Sequence, residues 1–184
     1  MALKKSSEII TVSGLYQNDT NAFTSDAVDL QLNPLDQEVF VVLGVQVDFL
    51  GNIPVGISSA GQVQRFNDQV AFTTTRPASQ PDLSDSNCFA FANRLVFQQN
   101  TPDPAGSDGV VTLTYHERTP TDTPDTNLDY ISIIATSDFF VSGTDSPGKL
   151  LGEGVSCAYK VYGYRAKADA ATYAALVQSE VLSS

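Results

Sequence analysis

The residue with the widest chemical range in this sequence is its single histidine, His116. One histidine suffices for a Ser-His-Asp or Cys-His arrangement, because serine, aspartate and cysteine are all present. His116 nevertheless follows a strand-like run, next to Glu117 and Arg118, and no nucleophile-elbow pattern surrounds it. A cupin-type metal site needs several histidines and a carboxylate. We therefore predict that the protein has no catalytic residue and is not an enzyme.

Aspartates in three polar loops are the candidates for a metal site. Carboxylate and carbonyl oxygens are the ligands that Ca²⁺ prefers. None of the groups has the Asp-x-Asp-x-Asp-Gly spacing of a calcium-binding loop, so we expect solvated loops and no metal site. The groups are Asp82 with Asp85, Asp103 with Asp108, and Asp122 with Asp125 and Asp129.

Three tyrosines near the end of the chain, Tyr159, Tyr162 and Tyr164, can form a platform on which a sugar ring stacks. Tyrosines in a strand also serve as core and interface aromatics, so the platform is one of two alternatives. The segment Gly152–Gly154 follows no strand-to-helix phosphate pattern and has no P-loop lysine. We therefore expect no cofactor site and no small-molecule substrate.

The two cysteines, Cys88 and Cys157, lie far apart inside apparent strands. Their number and spacing fit neither a disulfide framework nor a metal-binding knuckle. Free cysteine is among the most buried residue types, so both are expected to be small core residues.

The totals describe a folded, acidic protein. With 184 residues, the simplest expectation is one domain over residues 1–184, with a short N-terminal arm at 1–7 and a C-terminal helix at 169–182. The 21 acidic and 10 basic residues give a net charge of −11, which repels nucleic acid phosphates. The opening MALKKSSEII has no apolar run, so we expect no signal peptide, and no segment is long and apolar enough for a membrane span.

The strongest structural signal is the segment EVFVVLGVQVDFLG, residues Glu38–Gly51. Its apolar residues occupy alternate positions, which point to one side of an extended chain. Its β-branched residues also disfavour a helix. The segment is therefore predicted to be a central strand of a sandwich or barrel, with one face fully buried. The residues assigned to that face are Val39, Val41, Leu43, Val45, Val47 and Phe49.

Two other strands have a predicted inward face. Cys88–Gln99 is expected to place Phe89, Phe91, Leu95 and Phe97 on one side. Val155–Ala166 is expected to place Cys157, Tyr159 and Val161 on one side, and Tyr162 and Tyr164 on the other.

The whole chain is predicted to be all-β, because strand patterns recur with no helix between them. The pattern changes to helical spacing only after Asp169, a residue suited to an N-cap. We therefore predict an eight-stranded antiparallel jelly-roll sandwich with a short C-terminal helix. The other predicted strands are Ser7–Ser13, Ala27–Leu32, one or two within Gln62–Thr75, Val110–Glu117 and Leu128–Val141.

Long strands, polar loops and the lack of catalytic motifs make the chain resemble a single jelly-roll viral capsid protein, from about Ser7 to Ala166. Its ending, CAYKVYGYRA followed by DAATYAALVQ, is similar to that of some small capsid proteins. The resemblance implies a structural subunit that assembles with copies of itself and other capsid proteins into an icosahedral shell. It also implies that the protein is located in the virion, after synthesis in the host cytoplasm.

The basic N-terminal arm of many genome-packaging capsid proteins is reduced here to Lys4 and Lys5. In this the chain is similar to the acidic, upright single jelly-roll capsid proteins of icosahedral archaeal viruses, whose shell encloses a membrane. That similarity implies little direct nucleic-acid binding and a possible internal membrane nearby. The alternative from another class is a lectin-like or receptor-binding β-sandwich of a tail, spike or surface protein, with the tyrosines and acidic loops as its binding surface.

Overall fold

The computed structural model describes residues 3–20, 22–50, 63–101, 110–118, 129–144 and 154–182. These residues form ten strands, a 3-10 turn at Pro34–Asp36 and one α-helix. The strands are β1 (Leu3–Lys5), β2 (Ile10–Asn18), β3 (Thr24–Asp29), β4 (Glu38–Leu50), β5 (Val63–Thr73), β6 (Cys88–Thr101), β7 (Val110–Arg118), β8 (Ser132–Ile134), β9 (Asp138–Thr144) and β10 (Val155–Ala168), and the helix is α1 (Ala170–Leu182).

The strands pair into two antiparallel sheets. In the first sheet, β1 and β2 both pair with β10, which is followed by β4 and β8. The second sheet has the order β3-β9-β5-β6-β7. From β2 to β5 the chain changes sheet at every step, and it does so again from β8 to β10. Four strands from each sheet thus have the connectivity of a jelly roll, which confirms the predicted fold class, and β1 and β7 extend the two sheets.

The core lies between the two sheets. At its centre, the rings of Phe72, Phe89, Phe139 and Tyr159 pack with centroids 5.5 to 6.5 Å apart, tilted or edge to face. Each such pair adds about 0.5–1.5 kcal/mol beyond the area that it buries. Tyr159 reaches this cluster from β10, where Cys157 and Val161 are also buried, so the predicted inward face of that strand is confirmed.

A bulge in β4 changes the predicted face of the central strand. Opposite β10, Val42 pairs with Gly163 and Gly44 pairs with Tyr162, which leaves Leu43 as one extra residue. An extra residue inverts the alternation of side chains on the two sides of it. The bulge therefore lets a single strand bury different faces along its length.

The consequence is that the predicted buried set of β4 is divided between two cores. Val45, Val47 and Phe49 do face the second sheet, as predicted. Val39 and Val41 are buried on the opposite, outer face, and the positions before the bulge that face the second sheet are Phe40 and Val42. The prediction of one common face was therefore wrong for Val39, Val41 and the bulged Leu43.

A second bulge, in β6, makes the predicted inward face of that strand wrong beyond Phe89. Thr73 of β5 pairs with Cys88 and Phe72 pairs with Ala90, so Phe89 is the extra residue. Phe89 packs against the core as predicted, but the alternation after it is inverted. The residues that point inward are Ala90, Ala92, Arg94 and Val96, whereas Phe91, Leu95 and Phe97 lie half-buried on the outer face.

The N-terminal segment also differs from the prediction. The predicted arm at 1–7 contains β1, which pairs with β10, and the strand predicted at Ser7–Ser13 lies instead at Ile10–Asn18. The two strands are separated where the Ser7 hydroxyl oxygen accepts a hydrogen bond from the Arg165 backbone N–H at 2.8 Å. The Arg165 carbonyl still accepts from the backbone N–H groups of Ser6 and Ser7, at 2.8 and 3.3 Å, so the side chain replaces only the backbone acceptor of the Arg165 N–H.

The segment predicted as one strand over Leu128–Val141 is two strands, β8 and β9, in different sheets. The break occurs where the backbone N–H groups of Ala135 and Thr136 donate to the Glu180 carboxylate, at 2.8 and 3.0 Å. These donors bond to the helix and not to a neighbouring strand. The chain can therefore leave the first sheet here and enter the second.

The helix α1 covers part of the outer face of the first sheet. It begins at Ala170, one residue after the predicted start, because Asp169 is its N-cap and accepts a hydrogen bond from the Thr172 N–H at 2.8 Å. The helix side chains and the sheet form a second apolar core. Its members are Val39, Val41, Ala135, Ala166 and Ala168, with Leu3, Ile133, Tyr164, Tyr173, Leu176 and Val177 packed against them.

We expect Glu180 to make the stability of the docked helix α1 depend on pH. Its side chain is 6% exposed, and burial raises its pKa above the ordinary value of 4.5, although the hydrogen bonds from Ala135 and Thr136 act in the opposite direction. With a raised folded-state pKa, the stability that Glu180 contributes is fully present below its unfolded pKa and is lost as pH rises through the folded pKa.

Replacing Glu180 by glutamine should remove this titration. The free energy of unfolding of the wild type, relative to Glu180→Gln, is therefore expected to increase as pH is lowered from neutral toward about 4.5. Urea unfolding of both proteins across this pH range measures the difference. A difference that is constant over the whole range would show that the buried carboxylate does not titrate with the fold.

Candidate interaction surfaces

The structure places the backbone of His116 in β7, opposite Leu95 of β6. Its side chain lies outside the described part of the structure, so the expectation that His116 has no chemical role stays a prediction. Gly152 and Glu153 also lie outside the described residues.

The acidic loop groups are described only in part. In the first group, the Asp82 carboxylate accepts the Ser84 N–H at 2.7 Å, and the Asp85 carboxylate accepts the Asp82 N–H at 2.9 Å. Bonding to Ser84 lowers the pKa of Asp82, and both carboxylates serve to hold their own turn. Asp129 is exposed, and no cluster of three metal-ligating side chains occurs among the residues that the structure describes. The positions outside the described residues are Asp103, Asp108, Asp122 and Asp125.

The three tyrosines do not form one platform, which corrects that alternative. Tyr159 is only 7% exposed and belongs to the sandwich core. Tyr162 and Tyr164 point to the outer face of the first sheet, where Tyr164 packs in the core under α1 and the Tyr162 hydroxyl donates to the Gln46 side chain at 3.1 Å. Successive positions on a strand face opposite sides, and Tyr159 is an odd number of residues from both Tyr162 and Tyr164, so the three rings cannot share a surface.

Neither cysteine is prepared for nucleophilic chemistry. Both are free thiols; Cys157 is fully buried, as predicted, and Cys88 is half-buried. Burial raises the pKa of Cys88 to about 11 and that of Cys157 to about 12. The thiolate is the reactive form, so both side chains are inert at neutral pH.

The sequence analysis missed an ion pair inside the sandwich. Arg94 of β6 and Asp68 of β5 are cross-strand neighbours, 5% and 2% exposed, and Arg94 Nε donates to Asp68 Oδ2 at 2.9 Å. The guanidinium carbon lies 5.3 Å from the ring centroid of Phe49 on the opposite sheet. Arg94 therefore connects the two sheets. In the sequence, Arg94 alternates with Ala90, Ala92 and Val96, which indicates that the four residues share a face of β6. The sequence analysis predicted the other face to point inward, so Arg94 was not identified as buried.

The outer face of the first sheet has an open half that α1 does not cover. A shallow depression of about 420 Å³ lies there, lined by small and polar residues from three neighbouring strands. No cluster of three metal-ligating side chains occurs there among the described residues. The lining residues are Ser13, Gly14, Gln46, Asp48, Ala158, Tyr159 and Lys160.

The outer face of the second sheet carries half-buried apolar side chains next to polar ones such as Gln69 and Asn93. Phe91 on β6 and Phe140 on β9 lie on either side of Ala71 and Ser142, which are both fully buried although they point away from the core. Leu95 extends the same face along β6. The guanidinium of Arg76 lies 5.6 Å from the Phe140 ring. This set of Ala71, Phe91, Leu95, Phe140 and Ser142 is called the second-sheet patch below.

No protein-family model matches the chain, and no curated protein matches it. Solved structures that resemble it are VP1 proteins of polyomaviruses. VP1 of Merkel cell polyomavirus in complex with GD1a oligosaccharide aligns over 92% of this chain and 99% of its own, with 11% identity and a TM-score of 0.42. VP1 of trichodysplasia spinulosa-associated polyomavirus in complex with GM1 oligosaccharide aligns over 89% and 97%, with 12% identity and a TM-score of 0.41.

The unassembled VP1 pentamer of Merkel cell polyomavirus is similar to the same degree, with 10% identity, a TM-score of 0.40 and coverage of 91% and 99%. Likeness at this level carries no functional argument. The jelly-roll assignment rests on the strand order of this chain, and the function rests on its surfaces.

Proposed function

We propose that the protein is a structural subunit of a viral capsid, which assembles with copies of itself and with other capsid proteins into an icosahedral shell. The observation that carries the proposal is the second-sheet patch. Residues on the solvent-facing side of an antiparallel sheet are normally polar. On this face of the second sheet, Phe91, Leu95 and Phe140 are apolar and half-buried. Apolar residues on the outside of a sandwich fit contact with another protein.

The chemistry of the described residues agrees with a structural role. Cys157 is buried and Cys88 half-buried, Tyr159 lies apart from Tyr162 and Tyr164, and Asp82 and Asp85 hold their own turn. The lectin-like alternative is not favoured, because its tyrosine platform does not form and the depression on the first sheet is shallow.

The charge of the chain determines what such a shell encloses. At −11, the protein has little means of neutralising phosphates, so contact with the genome would be weak at any salt concentration. We propose that the genome is separated from the subunit by another layer, for which an internal membrane is one arrangement. The subunit would then reside in the virion after synthesis in the host cytoplasm.

Assembly should increase with ionic strength. Copies with a charge of −11 repel one another, and the screening length falls from about 30 Å at 0.01 M salt to about 3 Å at 1 M. Sedimentation velocity and electron microscopy of the purified protein across a salt series, with calcium or with a chelator, should therefore show oligomers or particles that grow with salt. Leu95→Glu, which adds a charge to the second-sheet patch, should reduce assembly, whereas Gln178→Glu on the exposed side of α1 should not.

Two outcomes would contradict the proposal. One is a protein that stays monomeric at every salt concentration. The other is particles that form only with added nucleic acid and dissolve as salt rises, which would indicate a genome-condensing coat. Thermal unfolding of Leu95→Glu and Gln178→Glu confirms that a change in assembly does not come from unfolding.

A further inference from the structure

Every open sheet has edges whose unpaired backbone groups can accept another strand. Proteins usually protect such edges with charges, short strands, prolines or bulges. The described strands at three of the four sheet edges carry such protection. At those edges, β3 contains Asp26 and Asp29, β7 ends in Glu117 and Arg118, and β8 has only three residues.

The fourth edge is formed by the short strand β1, which carries Lys4 and Lys5, and the long strand β2, which has none of these protections in its own residues. Its nine residues, ITVSGLYQN, contain no charge and no proline in a chain that carries 21 acidic and 10 basic residues. Its register with β10 runs without a shift from Ile10 to Asn18. Within the described residues, β2 pairs with β10 alone. A long, regular and uncharged edge of this kind is a template for a further strand.

Two exposed apolar side chains mark the same edge. Leu15 in β2 is 60% exposed, and Ile9, just before the strand, is 59% exposed. The two positions are six residues apart, so they lie on the same side of an extended chain, on the outer face of the sheet. Among the described residues, only Leu35 in the 3-10 turn and Leu182 at the end of α1 are large apolar side chains with a greater exposed fraction.

We propose that β2 is a self-association edge, which pairs antiparallel with β2 of a second copy about a two-fold axis at Val12. In this register, Ile9 of one copy lies opposite Leu15 of the other, and symmetry produces the contact twice. Lys4, Lys5 and Glu8 precede β2, with Lys5 Nζ 3.6 Å from Glu8 Oε2, and Asp19 follows it. Antiparallel pairing about Val12 brings Lys5 of each copy toward Asp19 of its partner, so the net positive end of each copy faces the acidic end of the other.

The second copy is the partner that the charges favour. Two molecules at −11 repel each other over most of their surfaces, and an uncharged strand lets them meet with little added repulsion. Backbone hydrogen bonds along the edge supply the attraction, and the two-fold axis needs only a patch that is complementary to itself. This contact rests on the proposed capsid function, for which it provides one subunit interface.

Cysteine cross-linking tests the register. In the double variant Ile9→Cys/Leu15→Cys, the Cα atom of position 9 in one copy should lie about 4.5–5.5 Å from the Cα atom of position 15 in the other. This distance is within the range of a disulfide. In either single variant, the two copies of the same residue should be about 20 Å apart, at about 3.3 Å per residue over six residues. Oxidised glutathione at high salt should therefore produce a covalent dimer from the double variant and none from the single variants. The unsubstituted protein, which carries the free thiols of Cys88 and Cys157, is the control for cross-linking through native cysteines.

A charge on the edge gives an independent readout. Leu15→Glu is expected to weaken dimer formation at least tenfold in sedimentation equilibrium, because it places a carboxylate opposite the apolar Ile9 of the partner at both symmetry-related contacts. Gln46→Glu adds the same charge to the same exposed sheet face, two strands away, and should leave the dimer unchanged. Both positions are exposed in one copy, so neither substitution should unfold it.

The outcomes separate this inference from the proposed function. Oligomers or particles that form without the cross-link, and that tolerate Leu15→Glu, would overturn the β2 contact and leave the capsid proposal standing. Cross-linking of the single variants as readily as of the double variant would overturn the register about Val12. A protein that remains monomeric under all conditions would overturn both.

Discussion

Replacing Arg94 by alanine is expected to lower the free energy of unfolding by about 3–5 kcal/mol. The substitution leaves the Asp68 carboxylate, 2% exposed, without the guanidinium that now donates to it at 2.9 Å. It also removes the contact of Arg94 with the Phe49 ring across the sandwich. Chemical denaturation followed by circular dichroism measures the loss. Lys160→Ala, which removes an exposed positive charge from β10, should change stability by less than about 0.5 kcal/mol.

A double substitution separates the net contribution of the ion pair to stability from the cost of burying one charge without its partner. Replacing both members with apolar residues of similar size, Arg94→Met with Asp68→Leu, removes the buried charges together, and such replacements are often neutral or stabilising. The double variant is therefore expected to be more stable than either single variant, with a strong coupling energy between the two positions. Additive losses would mean that Asp68 and Arg94 act independently, contrary to the observed contact.

The location of this pair shows why sequence periodicity was sufficient for the fold and insufficient for its faces. Alternation in β4, β6 and β10 identified each strand and its approximate ends, because the period of two depends only on local geometry. The faces depend on register, and a single extra residue inverts them. Leu43 and Phe89 are such residues, and nothing in their side chains distinguishes them from their neighbours.

The surfaces were less predictable from the sequence than the strands. The lack of charge in β2 is visible in the sequence, but its significance requires knowing that β2 is an edge, which is a property of the sheet order. Glu180 gave no signal either, because its partners, the backbone N–H groups of Ala135 and Thr136, are distant in the chain. Contacts that join remote segments are set by the tertiary fold, and a single sequence does not contain their pairing.

Replacing Val45 by aspartate is expected to unfold the protein. Val45 is fully buried between the sheets, beyond the bulge, and its neighbours in the core are apolar. A carboxylate there loses its hydration without gaining a partner, at a cost of several kcal/mol. That cost is comparable to the whole stability of a typical domain, about 5–15 kcal/mol. Gln46→Asp, at the next and exposed position, introduces the same group into the same strand and should unfold at nearly the wild-type temperature.

Replacing Val41 by aspartate should have a different effect from Val45→Asp, and this difference tests the bulge. Val41 is as fully buried as Val45, but its face is covered by α1 and not by the second sheet. A helix at the end of the chain can leave the sheet and let water reach the charge, whereas the second sheet cannot separate without global unfolding. Val41→Asp is therefore expected to release α1 and keep the sandwich, seen as rapid hydrogen exchange confined to Ala170–Leu182 and its contacts on β4. If Val41→Asp and Val45→Asp both unfolded the whole protein, the two residues would share one face, as an unbulged strand requires.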